Sequence, residues 1–398
     1  MSADARGSTG TTMVLSVATV AVCTLPLFLV GALAPQLTRE LGFTAAGLGI
    51  AIAAYRVGAA ATVGALGRLT DRVGSTTAIR LAALLTGVAA LGIVTSARTL
   101  AGLVVWLLVG AMGRSLCQPA VNRLIVQRVP VARQGAAFGV KQSGGPSASM
   151  LAGLSVPILA ATLGWRAAFV ATAVFAGLII LAVGRATAGP SDVPRMRRPR
   201  VPLRGRRTLA MLFVAFTLAS GASSILTAFY VASATDAGLS AAHAGSLLAV
   251  ASVGAITVRL LSGVACDRLA GGHLILCAGM LGLGALGTLA LASGQPWLLA
   301  AGILIGLAGS WGFDGVFWYA IVRRYQAQPG QVTGALEPGG LLGGAGTPLL
   351  FGFVVELTSY RVAWIGGAVL AMAGAAAMLQ GDRLLRRGDP DQTQDGQT

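Results

Sequence analysis

Lysine is all but absent: of 29 basic residues in 398, every one but Lys141 is arginine. Lys141 follows Val140, so the chain has no GxxxxGK[ST] phosphate-binding loop, which argues against direct drive by ATP. Charge of either sign is scarce. Charged residues make up 11%, against about 25% in an ordinary soluble domain. That scarcity excludes a water-soluble fold of this length. There are two histidines, His243 and His273, both near the ends of apolar runs. No Ser/His/Asp arrangement is visible, so the sequence does not read as an enzyme. The four cysteines (Cys23, Cys117, Cys266, Cys277) lie in separate apolar runs without metal-ligand or CxxC spacing. They read as packing residues, with no disulfide framework, no metal site and no cofactor. The polar–apolar alternation of a membrane β-barrel is missing too.

What the chain has in abundance is apolar length. It is 55% hydrophobic, with a mean hydropathy of +0.78. Runs of roughly 20 apolar residues recur, each enough to cross a ~30 Å hydrocarbon core as a helix. Spans are expected at 13–35, 45–66, 78–96, 100–122, 134–160, 166–184, 208–231, 243–265, 273–293, 297–321, 332–356 and 362–380. The first run follows a short polar tail and reads as a span, not a cleaved signal peptide. The arginines divide unevenly between the two faces. One face collects Arg68, Arg72, Arg80, Arg123, Arg128, Arg133, Arg323, Arg324 and eight arginines in 185–207. The other has Arg39, Arg98, Arg166 and Arg361. By the positive-inside rule both termini are cytoplasmic, in a bacterial plasma membrane. The basic run at 195–207 then reads as a lipid-contacting topogenic loop; nucleic-acid binding is the weaker alternative.

The chain is also one unit written twice. At an offset of 196, LGFTAA (41–46) meets AGLSAA (237–242), with Thr44 and Ser240 as matched N-caps. GRLTDRVG (67–74) meets GVACDRLA (263–270), and Gly110 and Gly113 meet Gly306 and Gly309. WRAAF (165–169) matches YRVAW (360–364) after a one-residue slip. The expected organisation is a six-helix bundle over 1–184, a basic linker over 185–207, a second bundle over 208–381 and a polar tail over 382–398. Parallel repeats of this kind put a substrate site near the midplane between the halves.

These features together resemble the major facilitator superfamily. The residues that carry the resemblance are Gly67-x-x-x-Asp71-Arg72-x-Gly74, its echo Gly263-x-x-x-Asp267-Arg268, Gly145-Pro146 in span 5 and Gly164-Trp165-Arg166 entering span 6. Ser75-Thr76 replaces the family's basic pair; Lys141 and Ser149 replace glycines of the antiporter branch's span-5 motif. The resemblance implies an all-α membrane fold: two six-helix bundles related by a pseudo-two-fold axis along the membrane normal. It also implies an inner gate in which Asp71 meets span 11 and Asp267 meets span 5. A solvated turn with a local ion pair is the plainer reading of the same motif.

Ionisable residues inside spans are expensive and mark candidate sites. Arg56 lies about 18 Å below Thr44, and Arg114 midway along span 4. Nearer the arginine-rich edge lie Lys141, Arg259, Asp314 and Glu337. Lys141 plus 196 is Glu337, and Gln118 plus 196 is Asp314. The family contributes spans 4, 5, 10 and 11 to its central cavity, so these positions are expected to face one another. Arginine holds its charge almost anywhere, whereas a buried lysine can lose its proton. Lys141 therefore fits substrate or proton coupling; a structural pair or a snorkelling side chain also fits. Arg56 and Arg114 fit cavity roles or carbonyl-bonded structural ones. Arg259 also lies within reach of the inner surface. The four cations outnumber the two acids, which favours a small organic anion.

The sequence is thus expected to encode a monomeric, proton-coupled secondary transporter of a small organic anion. An efflux antiporter for drugs or secondary metabolites is the first alternative. A non-transporting receptor or assembly factor is the second.

Overall fold

The computed structural model describes residues 3–186, 206–268, 271–325 and 329–387. Among these the fold is helical throughout, with eleven helices long and apolar enough to cross a membrane. One of them, Ala45–Ser96, has 52 residues, about 78 Å at 1.5 Å per residue. It is long enough to cross twice, so the described residues make twelve crossings, as expected. The segment between spans 2 and 3 is not a loop. Helix continues on both sides of one non-helical residue, Gly74, at φ 84° and ψ 164°. Only glycine reaches that φ without strain. At Gly67 and Gly263 a Cβ would meet open space, so packing does not require those motif glycines.

Two spans are broken where the sequence suggested continuous helix. Span 1 runs Ala3–Ala32, and a separate short helix, Ala34–Leu41, follows with Pro35 in its first turn. Span 5 is built from Val131–Lys141 and Gly144–Ser155, then a π-helical turn at Val156–Ala160. The basic linker at 187–205, the tail at 388–398 and the side chains of Asp267 and Arg268 lie outside the described residues.

The two halves meet through backbone at the arginine-poor end. A Cβ on Gly31 of span 1 would fall 2.5 Å from the Thr227 carbonyl of span 7. Gly31 and Thr227 are 196 positions apart, so a residue touches its own counterpart, as a two-fold axis requires. Two further interfaces flank this axis. Gly49 of span 2 abuts the Pro348 carbonyl and Leu349 Cα of span 11. Its counterpart, Gly245 of span 8, abuts Val156 and the Gly153 carbonyl of span 5. Buried Ser252 places Oγ 2.9 Å from Ser149 Oγ at the second interface. Thr44 does not cap its helix as expected; its hydroxyl donates to Glu356 of the opposite half at 2.8 Å. Ser240 does cap, accepting from the His243 amide at 3.2 Å.

Within each half, matched glycines bring neighbouring spans together. A Cβ on Gly113 would lie 2.8 Å from the Ala82 carbonyl of span 3, and one on Gly309 would lie 2.5 Å from the Met280 carbonyl of span 9. At the arginine-poor surface Glu40 accepts from Trp165 Nε1 and from Arg166 Nη1. These two hydrogen bonds hold its carboxyl below the usual carboxylate range. At the matching positions of the second half, the charge of Asp236 is felt by Tyr360.

Two outcomes follow from this packing. Gly153→Leu forces its side chain into the Gly245 backbone, an overpacking cost of about 1–3 kcal/mol. The halves then part at this end, and an impermeant maleimide labels a Ser252→Cys reporter that stays protected in the Gly153 background. The Glu40 carboxylate stabilises the fold fully above the ordinary glutamate pKa of about 4.3. That contribution fades as pH falls through the lower folded-state pKa. Melting curves of wild type and Glu40→Gln in detergent should therefore differ at neutral pH and converge in strong acid.

Candidate functional site

The site lies between the halves, beneath the glycine contacts, and has two electrostatic regions. The first surrounds Arg56 of span 2. A narrow cavity there is lined by Leu27, Phe28, Ile52, Arg56, Ser224 and Thr227. Span 1 supplies the apolar wall and span 7 the hydroxyls. Phe28 also meets Trp311 of span 10 edge-on, with centroids 5.7 Å apart, closing the wall across the halves. The Arg56 guanidinium rests against Gly344 of span 11, where a Cβ would come within 2.6 Å of Nη1. Arg56 Nε is buried and has no hydrogen-bond partner. The charged neighbour that acts on Arg56 is another cation, Arg114. Arg114 Nη1 donates to Thr24 Oγ1 at 3.3 Å, which fixes it to span 1 of its own half. This region therefore carries two positive charges, and among the described residues no carboxylate pairs with either.

The second region is nearer the arginine-rich end. Arg259 of span 8 pairs with Asp314 of span 10 through Nη2, while Nη1 donates to the Gln142 carbonyl of span 5 at 2.9 Å. Gly315, next to Asp314, packs beside the arginine stem, where even a Cβ would sit at ordinary contact distance, 3.7 Å from Arg259 Cγ. Lys141 is buried at 6% exposure, and its Nζ donates to Asn122 Oδ1 of span 4 at 2.9 Å. It thus leans on its own half and does not form an ion pair with either acid. The charges of Arg114, Glu337 and Asp314 nevertheless act on it. Glu337 is exposed, yet feels Asp314, Arg114 and Lys141.

The structure thus gathers Arg56 with Arg114, and Lys141, Arg259, Asp314 and Glu337 in a second group. Gln118 is half-buried on span 4, one turn below Arg114. Asp71 of the gate motif is about half exposed. Arg123 of span 4 reaches it, with Nη1 3.2 Å from its main-chain oxygen and 3.8 Å from Oδ1. Arg72 is exposed. The start of span 11, where the family places the Asp71 contact, adjoins residues 326–328, outside the described residues. Sequence reasoning missed Gly344, the Gln142 carbonyl and the Ser224–Thr227 wall. Only the wall had a readable signal: Thr227 is the repeat counterpart of Gly31.

Comparison with known proteins agrees with this architecture. No curated protein matches the sequence significantly. Among solved structures, an inward-facing, occupied bacterial homologue of the human lysosomal transporter Spinster superposes with a TM-score of 0.76. It is 14% identical, and the alignment covers 94% of this chain and 97% of that one. A D-xylose–proton symporter gives a TM-score of 0.75 at 15% identity, covering 94% and 98%. A nucleoside transporter gives 0.70 at 14% identity, also covering 94% and 98%. At these identities the likeness concerns the fold. The sequence model of the Major Facilitator Superfamily matches residues 15–345, most of the chain. The chain therefore belongs to the major facilitator superfamily of membrane transporters.

Proposed function

We propose that the chain moves a small organic anion across the plasma membrane by alternating access, coupled to protons. The observation that carries this reading is the uncompensated positive charge at Arg56. A guanidinium held out of water is costly without an anionic partner. Here Nε is buried and unpartnered, Arg114 adds a second positive charge, and Asp314 is engaged by Arg259. A carboxylate or similar oxyanion accepting from Arg56 would answer that deficit, its apolar body entering between Phe28 and Leu27 once the water-sized cavity widens as the halves rock.

Access from the arginine-rich face supports the same reading. The arginine asymmetry makes that face cytoplasmic, with both termini inside. The glycine contacts close the opposite face, and the exposed Glu337 lies on the route inward. Glu337 and Asp314 are the groups that carry the exchangeable proton, with Lys141 as the cation they balance. The bundles divide at 184 and 208 around the linker, and the chain works as a monomer. Asp71 and Asp267 belong to the inner gate, which engages when the halves rock the other way.

Arg56→Gln should weaken ligand binding about 10- to 100-fold, the value of a charge-assisted hydrogen bond of about 1.5–3 kcal/mol. Arg56→Lys should recover part of the loss. Thermal shift of the purified protein against a panel of small organic acids, followed by liposome flux with the best acid, measures both. Stabilisation by lipophilic cations and not by acids would favour drug efflux; no flux of any solute would favour the receptor reading.

A further inference from the structure

Span 5 breaks at Gln142–Ser143, and the cause is four residues further on. In an α-helix the amide of residue 146 bonds the carbonyl of residue 142. Residue 146 is proline and has no amide hydrogen, so the Gln142 carbonyl is released from the helix ladder. Helical bonding resumes one residue later, where the Ser147 amide meets the Ser143 carbonyl at 2.9 Å. The released carbonyl does not remain free: Arg259 Nη1, from the other half of the molecule, donates to it at 2.9 Å. Asp314 holds the same guanidinium through Nη2 from the Arg259 side. One side chain therefore joins a carboxylate of one half to a backbone acceptor of the other.

The repeat contains a second version of this device. Pro348 of span 11 likewise releases the carbonyl of residue 344, four positions back. The side chain lying on Gly344 is again an arginine of the opposite half, Arg56. Spans 8 and 5 correspond to spans 2 and 11, but at the offset of 196 Arg259 matches Val63 and Pro146 matches Leu342, so the two arginine–proline pairs arise independently at different levels of the repeat. The guanidinium is hydrogen-bonded to the carbonyl at the first position. At the second it packs over the glycine.

We propose that Arg259 is a positioning residue that ties the two halves together through the carbonyl that Pro146 releases. The tie holds the halves in the arrangement described here. Breaking it lets span 5 separate from span 8 at the level of Lys141. Proline is needed at 146 because any other residue would return the carbonyl to its own helix. The inference does not depend on the identity of the transported solute.

Pro146→Ala tests it while leaving the Arg259–Asp314 pair intact. Spin labels at Arg80→Cys and Arg383→Cys, exposed sites in different halves, report the separation by electron-resonance distance measurement on the full chain in nanodiscs. The native cysteines are buried. Pro146→Ala should lower the population with the wild-type separation roughly tenfold, the equivalent of one hydrogen bond to a charged group. Arg259→Lys, which keeps the charge opposite Asp314 but cannot span both partners, should shift the distribution in the same direction. The double variant should move no further than either single variant, because both remove one bond. An unchanged distribution in either variant, or effects that add in the double variant, would overturn the proposal. If Pro146→Ala does not fold, Arg259→Lys alone decides: a wild-type distribution overturns the tie.

Discussion

The architecture depends on helix backbones approaching directly across the pseudo-two-fold axis. Lipid offers no hydrophobic driving force between helices, so association relies on close packing and on backbone polar contacts. Gly31 on Thr227, Gly49 on Pro348 and Leu349, and Gly153 on Gly245 provide that approach, all toward the arginine-poor end. Contacts of this kind leave no space for a path, so the same glycines that join the halves also seal one face. Nearer the arginine-rich end the halves are joined by a side chain instead, through Arg259 on the Gln142 carbonyl.

Charge is then distributed by level beneath the seal. Arg259 is paired within its own half with Asp314 and reaches the opposite half through its other terminal nitrogen. Arg56 and Arg114 have no such partner among the described ion pairs, and the positive potential of the site concentrates there. Lys141 sits between these levels, held by the neutral Asn122 and influenced by both acids from a distance. A neutral hydrogen bond holds the lysine in place without an ion-pair partner.

Pro146 acts here as an acceptor generator. It removes one amide hydrogen and releases one carbonyl, and in a membrane such a group must find a partner inside the protein. The break in span 5 and the arginine that fills it are therefore one feature seen from two helices. The π-helical turn at Val156–Ala160, further along the same span, adjoins the Gly245 contact and lets span 5 follow span 8 to the sealed face.

Much of this was readable before any coordinates. The membrane crossings follow from hydropathy, the expected sidedness from arginine counts, and the duplication from matches at one offset; all are read from the chain taken in order. The same offset marked Lys141, Glu337, Gln118 and Asp314 as related positions. It did not reveal that Asp314 pairs with Arg259, that Lys141 leans on Asn122, or that Thr44 abandons its cap for Glu356. Glu40 went unnoticed, because a carboxylate near a span end looks like ordinary surface until Trp165 and Arg166 are seen to enclose it. By itself the sequence determined that the chain lives in lipid and is built from two related halves, since local composition decides the first and matches along the chain at one offset decide the second. Only the tertiary structure decided which charges meet. The partners of Arg259 lie 55 and 117 positions away, and helix tilt, a proline-freed carbonyl and a glycine-width approach bring them within reach, none of which pattern along the chain encodes.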